Sequence, residues 1–143
     1  MIGRKRETAE ARRLLDDAAM RSSGLLLSGE PGIGKTTIWT VAIEEARARG
    51  YTVLTARPSE AERRLAFAGL ADLLHRVDQA AFEDLPDVQQ DALAQALRLR
   101  GSAKGVDPTT VGLGVVGLLR ALSVRSPMLV AVDDLQWLDA PTL

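Results

Sequence analysis

The feature that most constrains this sequence is the segment GEPGIGKTT at residues 29–37, which follows an apolar run at residues 24–28. It matches the pattern GxxxxGK[ST], a glycine-rich loop that joins a strand to a helix. Glycines let successive backbone N–H groups turn toward one anion, and the helix that follows adds the positive end of its dipole. The segment therefore predicts a polyphosphate-binding loop. The alternative is an ordinary glycine–proline turn between a strand and a helix.

Two positions of this loop carry chemistry of their own. Lys35 would bring a mobile positive charge to the β- and γ-phosphates of a nucleotide, and it is also a candidate catalytic residue. The Thr36 hydroxyl is a predicted ligand of Mg²⁺. The loop residues predicted to contact the nucleotide are Gly29, Glu30, Pro31, Gly32, Ile33, Gly34, Lys35, Thr36 and Thr37.

A second apolar stretch, residues 127–132, ends in Asp133 and Asp134, as a Walker B strand does. A carboxylate at the carboxyl end of a parallel strand lies beside the phosphate loop and holds Mg²⁺, usually through water. Asp133 is therefore a predicted metal ligand. The next acidic residue is placed to orient or deprotonate an attacking water, so Asp134 is a predicted catalytic residue. The alternative is a buried strand that simply ends in a polar turn.

Composition narrows the class of protein. The chain has 143 residues, 46% hydrophobic and 26% charged, which fits a single globular domain. Its formal net charge of −1 gives no electrostatic case for bulk binding of nucleic acid or of an anionic membrane. Cysteine is absent, so disulfides and thiolate chemistry are excluded. Since the first residues lack the apolar core of a signal peptide, we expect a cytoplasmic protein.

The apolar spacing predicts alternating helices and strands, hence an α/β domain with a parallel sheet. Gly50 is expected to end the helix after the loop, and Asp107 to cap a later helix. Residues 98–105 read as a flexible loop. Predicted helices cover residues 7–20, 35–49, 59–77, 88–99 and 107–122, and predicted strands cover residues 24–28, 51–55 and 127–132.

Other chemically notable residues favour structural interpretations. His75 has no ligand partner nearby in sequence, so a partly exposed helix histidine is the favoured interpretation. Any exposed arginine could serve as an arginine finger, and the sequence singles none out. The glycines of the last predicted helix either allow close packing or make that segment mobile.

Four stretches together carry a resemblance to a known family. They are Ile2-Gly3-Arg4 with Glu7, LLLSGEPGIGKTT, LAFAGLADLLH with residues 85–89, and LVAVDDLQWLDAPTL. On these stretches the sequence resembles the N-terminal ATPase domain of large LuxR-type bacterial transcriptional regulators. Those proteins are signal-transduction ATPases with numerous domains, related to AAA+ and origin-recognition-like ATPases. The likeness covers essentially the whole chain.

The resemblance implies a role for each matching residue. Gly3 and Arg4 would pack near the adenine of ATP, and Lys35, Thr36 and Asp133 would bind its phosphates and Mg²⁺. Asp134 takes the position of the catalytic acid, where many AAA+ relatives carry glutamate. Slow hydrolysis would suit a switch with long-lived ATP and ADP states. The implied function is therefore the ATP-dependent switch of a signal-responsive regulator.

The resemblance also implies a five-stranded core sheet in the order 5-1-4-3-2, of which this sequence supplies three strands. The predicted fold is thus an α/β P-loop NTPase whose parallel sheet, flanked by helices, is incomplete. Residues 1–143 are expected to be the N-terminal portion of the ATPase domain. Sensor residues and the DNA-binding helix-turn-helix are expected to lie elsewhere, so this chain is not expected to bind DNA directly. Unpaired strand edges would favour self-association.

Two other functions remain open. The chain could be a non-catalytic nucleotide-binding or interaction fragment, because its site is expected to be incomplete. A small stand-alone P-loop kinase is less favoured, because neither an arginine-rich lid nor an acceptor pocket is recognisable in the sequence.

Overall fold

The structure is a computed structural model that describes residues 5–18, 21–98 and 105–143. Within these ranges, two helices precede the first strand, four helices separate it from the second, and a 3₁₀ turn at Leu135–Trp137 follows the second strand. In chain order the elements are α1 (Lys5–Ala18), α2 (Lys35–Ala48), β1 (Thr52–Ala56), α3 (Ala68–Leu74), α4 (Ala80–Glu83), α5 (Asp87–Arg98), α6 (Pro108–Arg125) and β2 (Met128–Val132).

The sheet consists of β1 and β2, which pair in parallel with Val53 opposite Leu129. The ladder continues one residue past β2, because the Asp133 N–H donates to the Ala56 carbonyl at 3.0 Å. Helices α3 to α6 form the connection between the two strands. The predicted α/β class and the parallel pairing of these two strands are confirmed, with β1 beginning one residue later than predicted.

The strand predicted at residues 24–28 is not formed. These residues carry no strand ladder, and Leu26 is 77% exposed. A strand needs a neighbour for its N–H and C=O groups, and nothing in the described part of the chain pairs with this segment. The prediction of three core strands is therefore wrong for this structure, which has two in the residues it describes.

Helix α2 ends as the sequence predicts. Gly50 follows the helix with a φ of 79°, a conformation that glycine adopts without a steric penalty. The Gly50 N–H donates to the Arg47 carbonyl and the Tyr51 N–H donates to the Ala46 carbonyl, both at 3.0 Å. This is the hydrogen-bond pattern of a Schellman motif, and it turns the chain directly into β1. Helix α2 packs against α1 on one side and against both strands on the other.

The helix predicted to start at residue 59 begins nine residues later. Ser59 and Glu62 do interact, but the Ser59 hydroxyl donates to the Glu62 carboxylate at 2.7 Å instead of capping a helix. A series of turns follows, and Phe67 has a φ of 60°, which is incompatible with a continuous right-handed helix. Helix α3 therefore covers only Ala68–Leu74.

The core lies between β1 and helices α3 to α6, and its largest buried apolar side chains include Phe67, Leu93 and Leu118. Helix α6 begins as predicted, with the Asp107 carboxylate accepting from the Thr109 and Thr110 N–H groups. The predicted flexible loop at residues 98–105 lies largely outside the described residues. Within the ranges the structure covers, no helix is both long and apolar enough to cross a membrane.

The sequence left open whether the glycines of α6 allow close packing or make the segment mobile, and two of them favour close packing. A Cβ atom at Gly114 would lie 3.0 Å from the Leu93 side chain, and one at Gly117 would lie 2.9 Å from Leu85. Both glycines therefore allow α6 to approach neighbouring residues closely. A Cβ at Gly112 would meet nothing within 4 Å, so this glycine has no packing role of that kind.

Candidate functional site

The predicted phosphate loop is a tight turn that leads into α2. Gly32 and Gly34 have φ values of 78° and 88°, in the left-handed region where a side chain would be strained. The Ile33 N–H donates to the Glu30 carbonyl at 3.3 Å and closes the turn. Most of the loop lies at the surface, where the start of α2 can face an anion.

Lys35, the first residue of α2, folds back over this loop. Its Nζ donates to the Gly29 carbonyl at 3.0 Å and to the Glu30 carbonyl at 3.1 Å. The ammonium group is thus held at the beginning of the loop by two neutral acceptors. Thr36 follows on the same helix and is exposed, so its hydroxyl is available to an incoming ligand.

Asp133 lies where β2 ends, and its side chain is only 6% exposed. One carboxylate oxygen accepts the Asp134 N–H at 3.1 Å, and the other accepts from the Arg57 guanidinium at 3.5 Å. The predicted metal ligand is therefore a buried carboxylate that already has a cation beside it.

Asp134 differs from Asp133 in both exposure and backbone. It is exposed and has φ and ψ of 49°, a left-handed conformation that is uncommon for residues other than glycine. Its Oδ1 accepts from the Gln136 side-chain amide at 3.0 Å. The predicted catalytic carboxylate is thus held by a neighbouring side chain at the start of the 3₁₀ turn.

The two halves of the site meet through Trp39. This residue lies one helical turn beyond Lys35 and Thr36, on the side of α2 that they share. The Arg57 guanidinium carbon lies 5.3 Å from the centroid of the Trp39 ring, and the same guanidinium contacts Asp133. No hydrogen bond within the described ranges joins Lys35 or Thr36 directly to Asp133. Gly3 and Arg4, expected to contact adenine, lie outside the described residues.

The donor atoms fit Mg²⁺. This cation prefers oxygen ligands and usually keeps several waters, taking one or two carboxylates and the phosphates of its nucleotide. The Asp133 carboxylate and the Thr36 hydroxyl are oxygen donors of this type. No cluster of three or more histidine or acidic side chains suited to a metal occurs among the residues that the structure describes.

Asp139 is a residue whose role sequence reasoning missed. Its side chain is fully buried and accepts four hydrogen bonds, two on each oxygen, at 2.8 to 3.2 Å. The donors are the Phe67 N–H, the Gly69 N–H, and both the N–H and hydroxyl of Thr142. The carboxylate thus ties the segment after β2 to the start of α3. The sequence stretch QWLD was visible as part of a family likeness, but nothing in its spacing predicted a contact 70 residues away.

A glycine-rich loop at the start of a helix, and a buried aspartate at the end of a strand against which that helix packs, define the nucleotide-binding class of α/β domains. The comparisons with known proteins agree with this class. The family model of the AAA ATPase domain matches residues 1–143, and the chain belongs to that family. No curated protein and no solved structure gave a match. AAA ATPase domains generally bind ATP with Mg²⁺, so membership indicates nucleotide binding.

Proposed function

We propose that this chain binds MgATP at residues 29–37 and acts as the nucleotide switch of a signal-responsive transcriptional regulator of the LuxR type. The observation that carries the binding proposal is the geometry of Lys35, whose ammonium lies over a loop with two left-handed glycines. The regulatory context is supported by the likeness of the FAGLADLL and DDLQWLD stretches. We place the protein in the cytoplasm, and the chain itself, with its net charge of −1, does not contact DNA.

Each residue has a distinct role in this proposal. Lys35 leaves the two loop carbonyls and binds the β- and γ-phosphates, where its charge offsets theirs. Thr36 and Asp133 would hold Mg²⁺, which would supply positive charge beside the phosphates. Asp134 orients the water that would attack the γ-phosphate. Gly3 and Arg4 contribute to the adenine pocket.

Asp134 also favours a second candidate function, nucleotide binding without hydrolysis. Its side chain accepts a hydrogen bond from Gln136, and its backbone has the left-handed conformation. Aspartate is also one methylene shorter than the glutamate found in many AAA+ relatives. The hydrogen bond from Gln136 restricts how this carboxylate can be turned toward a water. Either slow hydrolysis or none follows from this arrangement, and only turnover measurements separate the two.

Nucleotide binding is tested by thermal unfolding with and without millimolar MgATP or MgADP. If the ligand is present at about 100 times its Kd, it should stabilise the chain by about 2.7 kcal/mol. That corresponds to a rise in melting temperature of roughly 5–10 °C for a domain of this size. Lys35→Ala should abolish the rise. Arg47→Ala is the matched control, since it removes one exposed positive charge from the other end of α2.

The result that would overturn the binding proposal is a cooperative melt that does not move with nucleotide. An equal loss of the shift in Lys35→Ala and Arg47→Ala would show that general charge, not the loop, was responsible. Hydrolysis is tested separately by phosphate release. Asp134→Asn should keep nucleotide binding and lose turnover, whereas Asp133→Asn should impair Mg²⁺ dependence as well. If the unaltered chain binds ATP and releases no phosphate, the non-catalytic candidate is correct.

The regulatory context has its own test. Reading the encoding frame past Leu143 should reveal further strands of the ATPase domain and, beyond them, a helix-turn-helix segment. A frame without such a segment would contradict the regulator proposal and leave the nucleotide-binding proposal intact.

A further inference from the structure

Arg57 connects the two halves of the candidate site, although the sequence did not single it out. It is the first residue after β1, and its guanidinium Nη2 lies 3.5 Å from Asp133 Oδ2. The same guanidinium lies over the Trp39 ring at 5.3 Å. Its backbone N–H is anchored separately, by donation to Asp72 Oδ2 at 3.4 Å. The side chain can therefore move while the backbone stays in place.

The two side chains of the Arg57–Asp133 ion pair differ in their exposure to solvent. The aspartate side chain is 6% exposed, whereas the arginine side chain is 62% exposed. The buried carboxylate needs a neighbouring cation, while the arginine would remain well solvated without its partner. The separation of 3.5 Å is at the long end of hydrogen-bond distances, and a single nitrogen makes the contact. A doubly charged cation that reached Asp133 would therefore displace the arginine readily.

We propose that Arg57 is a positioning residue for Asp133. In the nucleotide-free chain its guanidinium neutralises and orients the carboxylate, and the Mg²⁺ that arrives with the nucleotide takes its place. This proposal rests on the function proposed above. Because Arg57 competes with Mg²⁺ for one carboxylate, its removal should tighten Mg²⁺ binding, whereas loss of a merely structural residue would weaken it.

Trp39 provides a readout that does not depend on activity. Its indole ring faces the guanidinium, and its Nε1 is buried without a hydrogen-bond partner among the described residues. The ring environment should therefore change when Arg57 leaves. The chain has two tryptophans, so Trp137→Phe leaves Trp39 as the single tryptophan, which excitation at about 295 nm selects over Tyr51. In that background, Asp133→Asn should release Arg57 and alter Trp39 emission without nucleotide.

The experiment compares Mg²⁺ titrations of the full chain carrying saturating mant-ADP, with mant fluorescence as the signal. Arg57→Gln should lower the Mg²⁺ concentration at half-effect by about two- to five-fold, the range that an exposed ion pair supports. Arg57→Lys, which keeps the charge, should fall between Arg57→Gln and the unaltered chain. Arg64→Gln, which removes another exposed arginine of the segment after β1, is the control and should leave the midpoint unchanged.

The fluorescence emission of Trp39 provides the second part of the experiment. Adding Mg²⁺ and ADP to the Trp137→Phe chain should change Trp39 emission in the same direction as the Asp133→Asn substitution does. When Arg57→Gln is introduced as well, Mg²⁺ and ADP should no longer change the emission. If mant-ADP binds and Arg57→Gln leaves the Mg²⁺ midpoint unchanged or raised, the Arg57 proposal is overturned and nucleotide binding stands. If the unaltered chain binds no mant-ADP, with or without Mg²⁺, both proposals fall.

Discussion

The Asp139 carboxylate offers the sharpest test of how the fold is held together. Asp139→Ala removes the acceptor of four hydrogen bonds without touching the phosphate loop or the strand ladder. Two of the donors, the Phe67 and Gly69 N–H groups, belong to buried residues at the start of α3. A Thr142 hydroxyl can turn to another partner, but these two backbone groups cannot.

The magnitude follows from those two groups. A buried donor left without an acceptor costs about 1–3 kcal/mol, so Asp139→Ala should destabilise the chain by about 2–6 kcal/mol. Phe67 adds to the effect, because its φ of 60° is unfavourable and persists only while the surrounding contacts hold it. Asp139→Asn keeps one acceptor oxygen and turns an N–H₂ group toward the remaining donors. We expect it to cost about 1–3 kcal/mol, the loss of one buried partner.

The assay is urea unfolding followed by far-ultraviolet circular dichroism, with the free energy of unfolding extrapolated to water. Asp78→Ala serves as the control, since Asp78 is exposed and accepts one long hydrogen bond from the Ala80 N–H at 3.3 Å. It should change stability by less than about 0.5 kcal/mol. The reasoning is refuted if Asp139→Ala costs no more than Asp78→Ala, or if Asp139→Asn costs more than Asp139→Ala.

Three further predictions concern other parts of the chain. Gly114→Ala should lower the free energy of unfolding, because the added Cβ would press on the Leu93 side chain. Gly112→Ala should raise the free energy of unfolding by up to about 1 kcal/mol, because its Cβ would meet nothing within 4 Å. The denaturant midpoints of the two variants test both expectations. Hydrogen bonds from the Thr110 side chain and backbone, and from the Thr109 N–H, hold the pKa of Asp107 below its ordinary value. The stabilisation this gives is present above about pH 4 and is lost as the pH falls through the lowered pKa. The melting temperatures of Asp107→Asn and of the unaltered chain should therefore converge as the pH falls below about 4, and a constant gap between them would contradict this. We also propose that the chain self-associates through residues 24–28. Leu26→Lys should therefore reduce the apparent mass of the protein in sedimentation. An unaltered chain that is strictly monomeric would disprove the proposal.

The sequence predicted those features that depend on local rules. The end of α2 at Gly50 and the cap of α6 at Asp107 were predictable, because each depends on hydrogen bonds to residues a few positions away. The spacing of apolar segments predicted a parallel sheet, and the strand order that the family resemblance implies predicted that β1 and β2 are neighbours. The identities of the loop residues also placed Lys35 correctly at the start of α2.

Features that depend on distant contacts were not predictable. The segment at residues 24–28 has the composition of a strand, yet a strand exists only where a neighbour pairs with it. Ser59 and Glu62 have the spacing of a capping box, but their side chains bond to each other while Asp139 fixes where α3 begins. Arg57 is one arginine among many, and only the fold places it beside Asp133. The role of Arg57 and the start of α3 are each decided by a partner more than 70 residues away in the sequence.

The parallel pairing of β1 with β2 has a consequence for how the chain folds. Each pair in the register joins residues 76 positions apart, and the intervening chain contains α3 to α6. Closing a loop of that length costs about 4 kcal/mol of entropy before any ladder bond forms. The local contacts of α5 with α6 carry no such cost, so these helices should form first and bring the strands together. Zippering of the two strands is thus expected to be the late, slow event of folding, and the Asp133 carboxylate takes its place beside Arg57 only when it is complete.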